Sequence, residues 1–317
     1  MLRYRVATMI WLFLLLGAAS RQGLEQLSWR HLVAALALGA SYVAATTQND
    51  VADREIDLVN HPRDPGRPLV TGETTPGELW RLHALASVVA LVAAASLGPA
   101  ALTLVGLSLA IGWAYSLPPL RLSFRTYLAH PALGLAYVAI PYALGLAVVG
   151  SAPRRADALL GGGLYALFLA RIVLKDFRDR EGDARFGKPT LLLRFGKDAT
   201  CLVSLAALVV GVALVLAWLR PPLPEAVLLA LYPGAIVAML AALRRADAGR
   251  EEQVAIGIGA RMGNGFLLSL LAWLALEASG ASIAERTAFL ALLAALFGLG
   301  FAALVARPEQ ATIGYKG

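Results

Sequence analysis

The chain has a single cysteine, Cys201, which excludes an internal disulfide, and its four histidines lie scattered without the close spacing that zinc ligands need. Charge is scarce as well. Acidic and basic residues make up 15% of the 317 positions, against roughly a quarter in soluble domains, while 58% are hydrophobic. That balance and a mean hydropathy of +0.67 exclude an ordinary soluble fold and indicate an integral membrane protein. No gap between apolar runs is long enough for a soluble domain, so residues 1–317 read as one membrane domain.

What is present is a series of long apolar runs, at about 4–20, 31–53, 77–97, 99–117, 127–150, 157–177, 198–219, 223–243, 262–279 and 284–306. Each approaches the ~20 residues a spanning helix needs, which predicts an all-α, polytopic transmembrane bundle. The first run has a second reading: Arg3 and Arg5, a Leu-rich stretch and then Gly17-Ala18-Ala19-Ser20 also have the layout of a signal peptide with a small-residue cleavage site. Glycines at 134, 145 and 161–163 serve either close helix packing or open volume.

Basic residues alternate between the two sides of this layout. With the N-terminus inside, the inner loops hold Arg63, Arg67, Arg81, Arg121, Arg125, Arg185, Lys188, Lys197, Arg244 and Arg245 among others, and Lys316 near the C-terminus. The outer ones hold only Arg21, Arg30, Arg154, Arg155, Arg220 and Arg286. The bias of Lys and Arg toward cytoplasmic loops therefore predicts cytoplasmic termini. The formal charge of +7 then belongs mainly to one face, suited to anionic membrane lipid and to a polyanionic substrate rather than to nucleic acid.

On that face the pattern D-x-x-D-R-E-x-D occurs twice, as Asp50, Asp53, Arg54, Glu55, Asp57 and as Asp176, Asp179, Arg180, Glu181, Asp183. Each copy stands where an apolar run ends. Six aspartates gathered at a membrane rim repel one another unless cations lie between them. On a continuous helix, positions i, i+3 and i+7 fall within roughly 60° of one face and span about 10 Å, so each triplet presents its carboxylates to one point. Hard oxygen donors of this kind suit Mg²⁺, which takes one or two carboxylates and completes its octahedron with water and substrate phosphate. Cationic neighbours follow each copy: a Pro- and Gly-rich loop, 60–69, carries Arg63 and Arg67, and 185–190 carries Arg185 and Lys188. Arg67 and Lys188 are the expected phosphate clamps. The stretch Gly182–Thr190 imitates a nucleotide phosphate loop, but Pro189 occupies its hydroxyl position and it follows a membrane helix, not a strand.

With these motifs the chain resembles the UbiA superfamily of intramembrane prenyltransferases. The first signature is matched by Asn49, Asp50, Asp53 and Asp57, followed by Arg67-Pro68-Leu69 and Gly72; the second by Asp176, Asp179 and Asp183, followed by Gly187 and Thr190. Tyr115 to Arg121, Y-S-L-P-P-L-R, is similar to the family's tyrosine followed by a basic residue at the diphosphate. The resemblance covers residues 40–200 and implies about nine helices, against ten runs here, around a central cavity under a cytosolic cap. It further implies that Asn49 and the six aspartates hold Mg²⁺. A polyprenyl diphosphate would be bound with help from Arg67, Tyr115, Arg121 and Lys188, and a lipophilic or aromatic acceptor, such as a quinone precursor, would take the prenyl group.

A water-poor, electron-rich lining is needed where the allylic cation forms, and Tyr115, Tyr142, Tyr165 and Phe168 are candidates for it. Arg171, a charge inside an apolar run, needs a partner and joins the substrate-binding set. Two other enzyme readings keep the site: an intramembrane terpene cyclase, and a phosphoribosyl transferase onto a lipid phosphate. A divalent-cation transporter is the contrasting class.

Overall fold

A computed structural model describes residues 4–21, 27–64, 66–246 and 249–308, and all its regular structure is helical. Arg3 and Lys316, two of the basic residues assigned to the inner face, lie outside the described residues. The order is α1 (Tyr4–Ala19), α2 (Trp29–Ala52), α3 (Arg54–Asn60), α4 (Pro68–Thr71), α5 (Pro76–Leu97), α6 (Pro99–Ser116), α7 (Ala129–Gly134), α8 (Ile140–Val148) and α9 (Asp157–Ile172). It continues with α10 (Lys175–Arg178), α11 (Arg180–Arg185), α12 (Leu191–Leu219), α13 (Leu223–Arg245), α14 (Arg250–Ala278) and α15 (Ile283–Ala306).

Among the described residues, 8 helical runs are long and apolar enough to cross a membrane; α1 contributes a shorter apolar helix, Val6–Ala19. The 24-residue α2 has the length, but its last turns are polar, running Thr46, Thr47, Gln48, Asn49, Asp50. All ten apolar runs are thus helices, and the protein is an integral, multi-pass membrane protein.

Two boundaries depart from the hydropathy pattern. Helix α14 begins at Arg250, about a dozen residues before its apolar run, because Glu252 in its first turn is held by Lys197 at 2.9 Å and Arg180 at 3.2 Å. Helix α12 begins at Leu191, where the Thr190 hydroxyl accepts from Leu193 N, and breaks at Gly196, whose φ of 80° lies outside the helical region.

Helix α1 packs as an integral part of the bundle. Phe13, Leu14 and Leu16 are fully buried, and α1 crosses α8 so closely that a Cβ on Gly145 would stand 2.1 Å from Leu14 O. A Cβ on Gly163 of α9 would likewise lie 3.0 Å from Gly211 O of α12, and one on Gly134 2.6 Å from the Tyr165 ring. These glycines bring helices together; they do not open volume. Between α7 and α8 the helix widens into one π turn, Leu135–Ala139, just before Pro141, which has no N–H to give back to the preceding turn. The widened turn carries Tyr137 into the central cavity.

Candidate active site

Both acidic motifs share one backbone device. The middle aspartate is at once the last cap of one helix and the first cap of the next: Asp53 (φ −105°, ψ 16°) joins α2 to α3, and Asp179 (φ −98°, ψ 8°) joins α10 to α11. The expectation of one continuous helical face per triplet is therefore corrected. Each motif is a broken helix, and the R-E-x-D half forms the first turn of a short helix, where Glu55, Asp57, Glu181 and Asp183 meet the positive end of its dipole. The break turns the third aspartate back over the bundle's end. There α3 and α11 touch closely: Gly182 N donates to Asn60 Oδ1 at 2.6 Å, and His61 Nε2 lies 2.9 Å from Asp179 Oδ1.

The arginines at the same motif position differ in what they do. Among the described residues Arg54 pairs with its exposed neighbour Glu55 at 3.8 Å, a pair screened by water, while Arg180 reaches the buried Glu252 and ties α11 to α14.

The carboxylates are laced by cations drawn from distant parts of the chain. Lys188 Nζ stands 3.6 Å from Asp53 and 3.3 Å from Asp183, bridging the two motifs. Arg67 pairs with Asp57 and lies 3.9 Å from Asp50; Arg121, on a loop residue with φ 38°, reaches Asp53 at 3.7 Å with its guanidinium over the Phe124 ring. Asn49 Nδ2 donates to Asp53 Oδ2 at 3.1 Å, and Lys175 Nζ donates to Tyr115 OH at 2.9 Å.

Burial raises the Asp183 carboxyl to about 6, outweighing the nearby Lys188. For Asp179 burial acts in the same direction, but Arg178 and His61 outweigh it and hold that carboxyl well below the ordinary range. Burial works against the charged Lys188 too, yet Asp53 and Asp183 raise its ammonium above its usual value.

These groups rim one cavity of about 450 Å³. Asn49, Asp53, Asp57, Asp179, Asp183, Arg67, Lys188, Tyr115 and Arg171 line it, as sequence reasoning expects, and Phe168 does too. Asp50 and Asp176 are set back from the lining, Asp50 near Arg67 and Asp176 against the buried His130 at 3.2 Å. Arg121 acts through Asp53 from outside it.

Tyr142 is a correction. Its hydroxyl lies near Ser20 Oγ (3.4 Å) and Asp157 Oδ1 (3.5 Å), beside the Arg21–Asp157 ion pair at the opposite end of α9 from the motif. Its aromatic face makes it a candidate for the cavity lining in the sequence, but helix phase and depth put it elsewhere. Tyr165 is also spent on packing, donating to Pro131 O at 2.9 Å.

Sequence reasoning missed the other aromatic wall, Tyr42 and Tyr137, which with Phe168 form a chain of edge-on rings 5.9 and 6.1 Å apart. It also set aside His61 and His130, whose spacing gave no signal because their partners are remote in sequence. On α14 it missed Gln253, Arg261 and Asn264, where only a helical stripe of polar residues in an otherwise apolar run could have flagged them.

The donor set fits Mg²⁺. Asp53 Oδ1 and Asp183 Oδ1 are buried and, among the described residues, face only cations, Arg121 at 3.7 Å and Lys188 at 3.3 Å, and every candidate ligand is an oxygen. Among the described residues no three His, Cys, Asp or Glu side chains already converge on one metal position, so a bound cation would complete its shell with water and a phosphate ligand.

Comparison with known proteins identifies the family. The UbiA prenyltransferase family profile matches residues 6–265. The bacteriochlorophyll synthase 33 kDa chain of Rhodobacter capsulatus is 31% identical over 196 residues, 59% of this chain and 63% of the relative. A homogentisate phytyltransferase of Synechocystis sp. is 31% identical over 61% of this chain and 64% of its own. The chain therefore spans somewhat less than two thirds of these relatives.

Among solved structures, the apo UbiA homolog from Aeropyrum pernix K1 superposes with a TM-score of 0.65 at 21% identity, covering 84% of this chain and 98% of that one. The UbiA homolog from Archaeoglobus fulgidus bound to DMAPP and Mg²⁺ gives 0.56 at 18%, covering 97% and 100%. With the profile spanning most of the sequence, the chain belongs to the UbiA prenyltransferase family.

Proposed function

We propose that the protein is a Mg²⁺-dependent intramembrane prenyltransferase that moves a polyprenyl group from its diphosphate onto a small aromatic or quinone-precursor acceptor and releases pyrophosphate. The observation that carries this reading is the rim itself. Two broken-helix aspartate motifs are bridged by Lys188 above a cavity whose deeper wall is the Tyr42, Tyr137 and Phe168 aromatic chain. A diphosphate suits the charged end and a prenyl chain suits the other.

Asp53, Asp57, Asp179 and Asp183 would hold Mg²⁺, with Asn49 orienting Asp53 and with Asp50 and Asp176 behind them. When bound, the metal supplies positive charge to the diphosphate oxygens. Lys188 and Arg67 add fixed positive charge to the same oxygens, with Arg121 behind Asp53, an arrangement that favours the transition state because charge grows on the leaving group. The allylic C–O bond breaks with its electron pair passing to the diphosphate, and the cation left on the prenyl carbon is captured by the acceptor, which then loses a proton. Aromatic faces offer that cation about 0.5–2 kcal/mol each, and the apolar walls keep water from quenching it.

The same reading takes residues 1–317 as one domain, with the motif-bearing end and both termini in the cytoplasm, supported by the excess of Lys and Arg on that side. The test is purified protein with Mg²⁺ and prenyl diphosphates of several lengths, with and without phenolic acceptors, followed by pyrophosphate assay and product mass. Asp53→Ala and Asp179→Ala are expected to abolish release. Full activity in either sinks the site assignment, and a prenyl alcohol or hydrocarbon formed without acceptor replaces transfer with cyclisation.

A further inference from the structure

The cavity has two polar levels, and only the rim is explained by a diphosphate. All carboxylates lining it, Asp53, Asp57, Asp64, Asp179 and Asp183, come from the two motifs and the loop after the first. Deeper in the bundle the polar lining is cationic and amide. Arg171 precedes Asp176 by five residues, about 7 Å of helix rise further from the rim. Its side chain crosses α14 over Gly263, where a Cβ would come within 2.6 Å of the guanidinium carbon. There it donates to Ala260 O at 2.5 Å and Asn264 Oδ1 at 3.2 Å.

Both partners are neutral. Among the described residues Arg171 makes no ion pair, and its buried Nε has no hydrogen-bond partner. A guanidinium inside a membrane-spanning helix without a counter-ion is costly, and such residues ordinarily pair or face a ligand pathway. Arg171 lines the cavity.

Helix α14 reinforces that level. Gln253, Gly257, Ala260, Arg261 and Asn264 recur at helical spacing and all line the cavity, so one stripe of α14 faces it. Arg261 stands on α14 between Ala260 and Asn264, the two residues Arg171 contacts, and so lies at the depth of those contacts. Its NH1 donates to Gly257 O at 3.2 Å, which holds the guanidinium along the stripe.

A prenyl donor brings its negative charge to the rim and only hydrocarbon below. An anion at the deeper level must come from the other substrate. Resting on the prenyl-transfer reading, we propose that Arg171, Arg261 and Asn264 form a specificity-determining subsite for a carboxylate on the acceptor. Asn264 positions Arg171, and small residues on the stripe, Gly257 and Ala260, leave the space for the acceptor's group. The acceptor is then read by α9 and α14, and the donor by the motifs.

The test offers homogentisate and 4-hydroxybenzoate, each as the acid and as its neutral methyl ester, to the full-length protein with Mg²⁺ and prenyl diphosphate. The acids are expected to be preferred. Arg261→Gln is expected to raise the acid's KM about 10- to 100-fold, the scale of a lost charge-assisted hydrogen-bond pair, with donor KM unchanged and acid–ester discrimination lost. Arg171→Gln should act in the same way; because Arg171 also ties α9 to α14, Arg261→Gln carries the test if that variant fails to fold. Esters used as well as acids by the unaltered protein overturn the proposal. So does a rise in donor KM with acceptor KM unchanged, which would give these cations to the diphosphate. No pyrophosphate release with any acceptor removes the prenyl-transfer reading and this subsite with it.

Discussion

Replacing Lys188 by methionine keeps an unbranched side chain one atom shorter and deletes its charge, and the structure gives opposite signs for its effects on metal and on donor. The ammonium lies 3.3 Å from Asp183 and 3.6 Å from Asp53, and its side chain is only 10% exposed. At an effective dielectric of about 20 each contact is worth on the order of 5 kcal/mol of Coulomb attraction, most of it offset by desolvation. Loss of one partner from such a buried cluster costs about 3–5 kcal/mol, so the metal-free variant should unfold at a lower temperature.

The vacated site is more negative, so Mn²⁺ used as a countable substitute for Mg²⁺ should bind the donor-free variant more tightly than the parent. The diphosphate loses a fixed cation aimed at its leaving oxygens. Removing one preorganised electrostatic contact of that kind costs about 2–4 kcal/mol of transition-state stabilisation, roughly 30- to 1,000-fold in kcat/KM. Electron paramagnetic resonance titration of Mn²⁺, thermal unfolding and pyrophosphate release measure the three effects. A variant whose kcat/KM is unchanged, or whose Mn²⁺ affinity falls, would refute the bridging role of Lys188.

Tyr142→Phe should leave kcat and both KM values unaltered and lower thermal stability by at most about 1 kcal/mol, because its hydroxyl makes only long contacts at the far end of the bundle. A tenfold fall in kcat would return it to the site. Gly163→Ala, whose new Cβ would meet Val215 Cγ2 at 2.8 Å, should cost about 1–3 kcal/mol in thermal unfolding, whereas Gly72→Ala meets no atom and loses only through its φ of 81°. Glu252→Gln leaves Arg180 and Lys197 without their carboxylate, and limited proteolysis is expected to cut the loop before α14 faster than in the parent. Chelation of divalent cations should abolish pyrophosphate release and Mg²⁺ should restore it; release that persists in chelator removes the metal from the scheme.

The membrane setting, the ten helices and the two aspartate motifs follow from the sequence alone, because hydropathy is a sum over neighbours and the motifs are local patterns. The candidate cations Arg67, Arg121 and Lys188 were legible for the same reason, standing within about ten residues of a motif or of Tyr115. What the sequence did not contain was depth and phase. Tyr142 and Phe168 read alike as aromatics in apolar runs, yet one closes the far end of the bundle and the other lines the cavity.

Only the tertiary structure decided which charges meet. His61 finds Asp179 and His130 finds Asp176 across long stretches of chain, and Lys188 joins the two motifs. The break at Asp53 and Asp179 is likewise tertiary: nothing in D-x-x-D-R-E-x-D forbids a continuous helix, and the contacts of α3 with α11 stabilise the bend. The polar stripe on α14 acquires meaning only when Arg171 crosses Gly263 to reach it. Burial makes these charges consequential, and burial is a property of the assembled bundle.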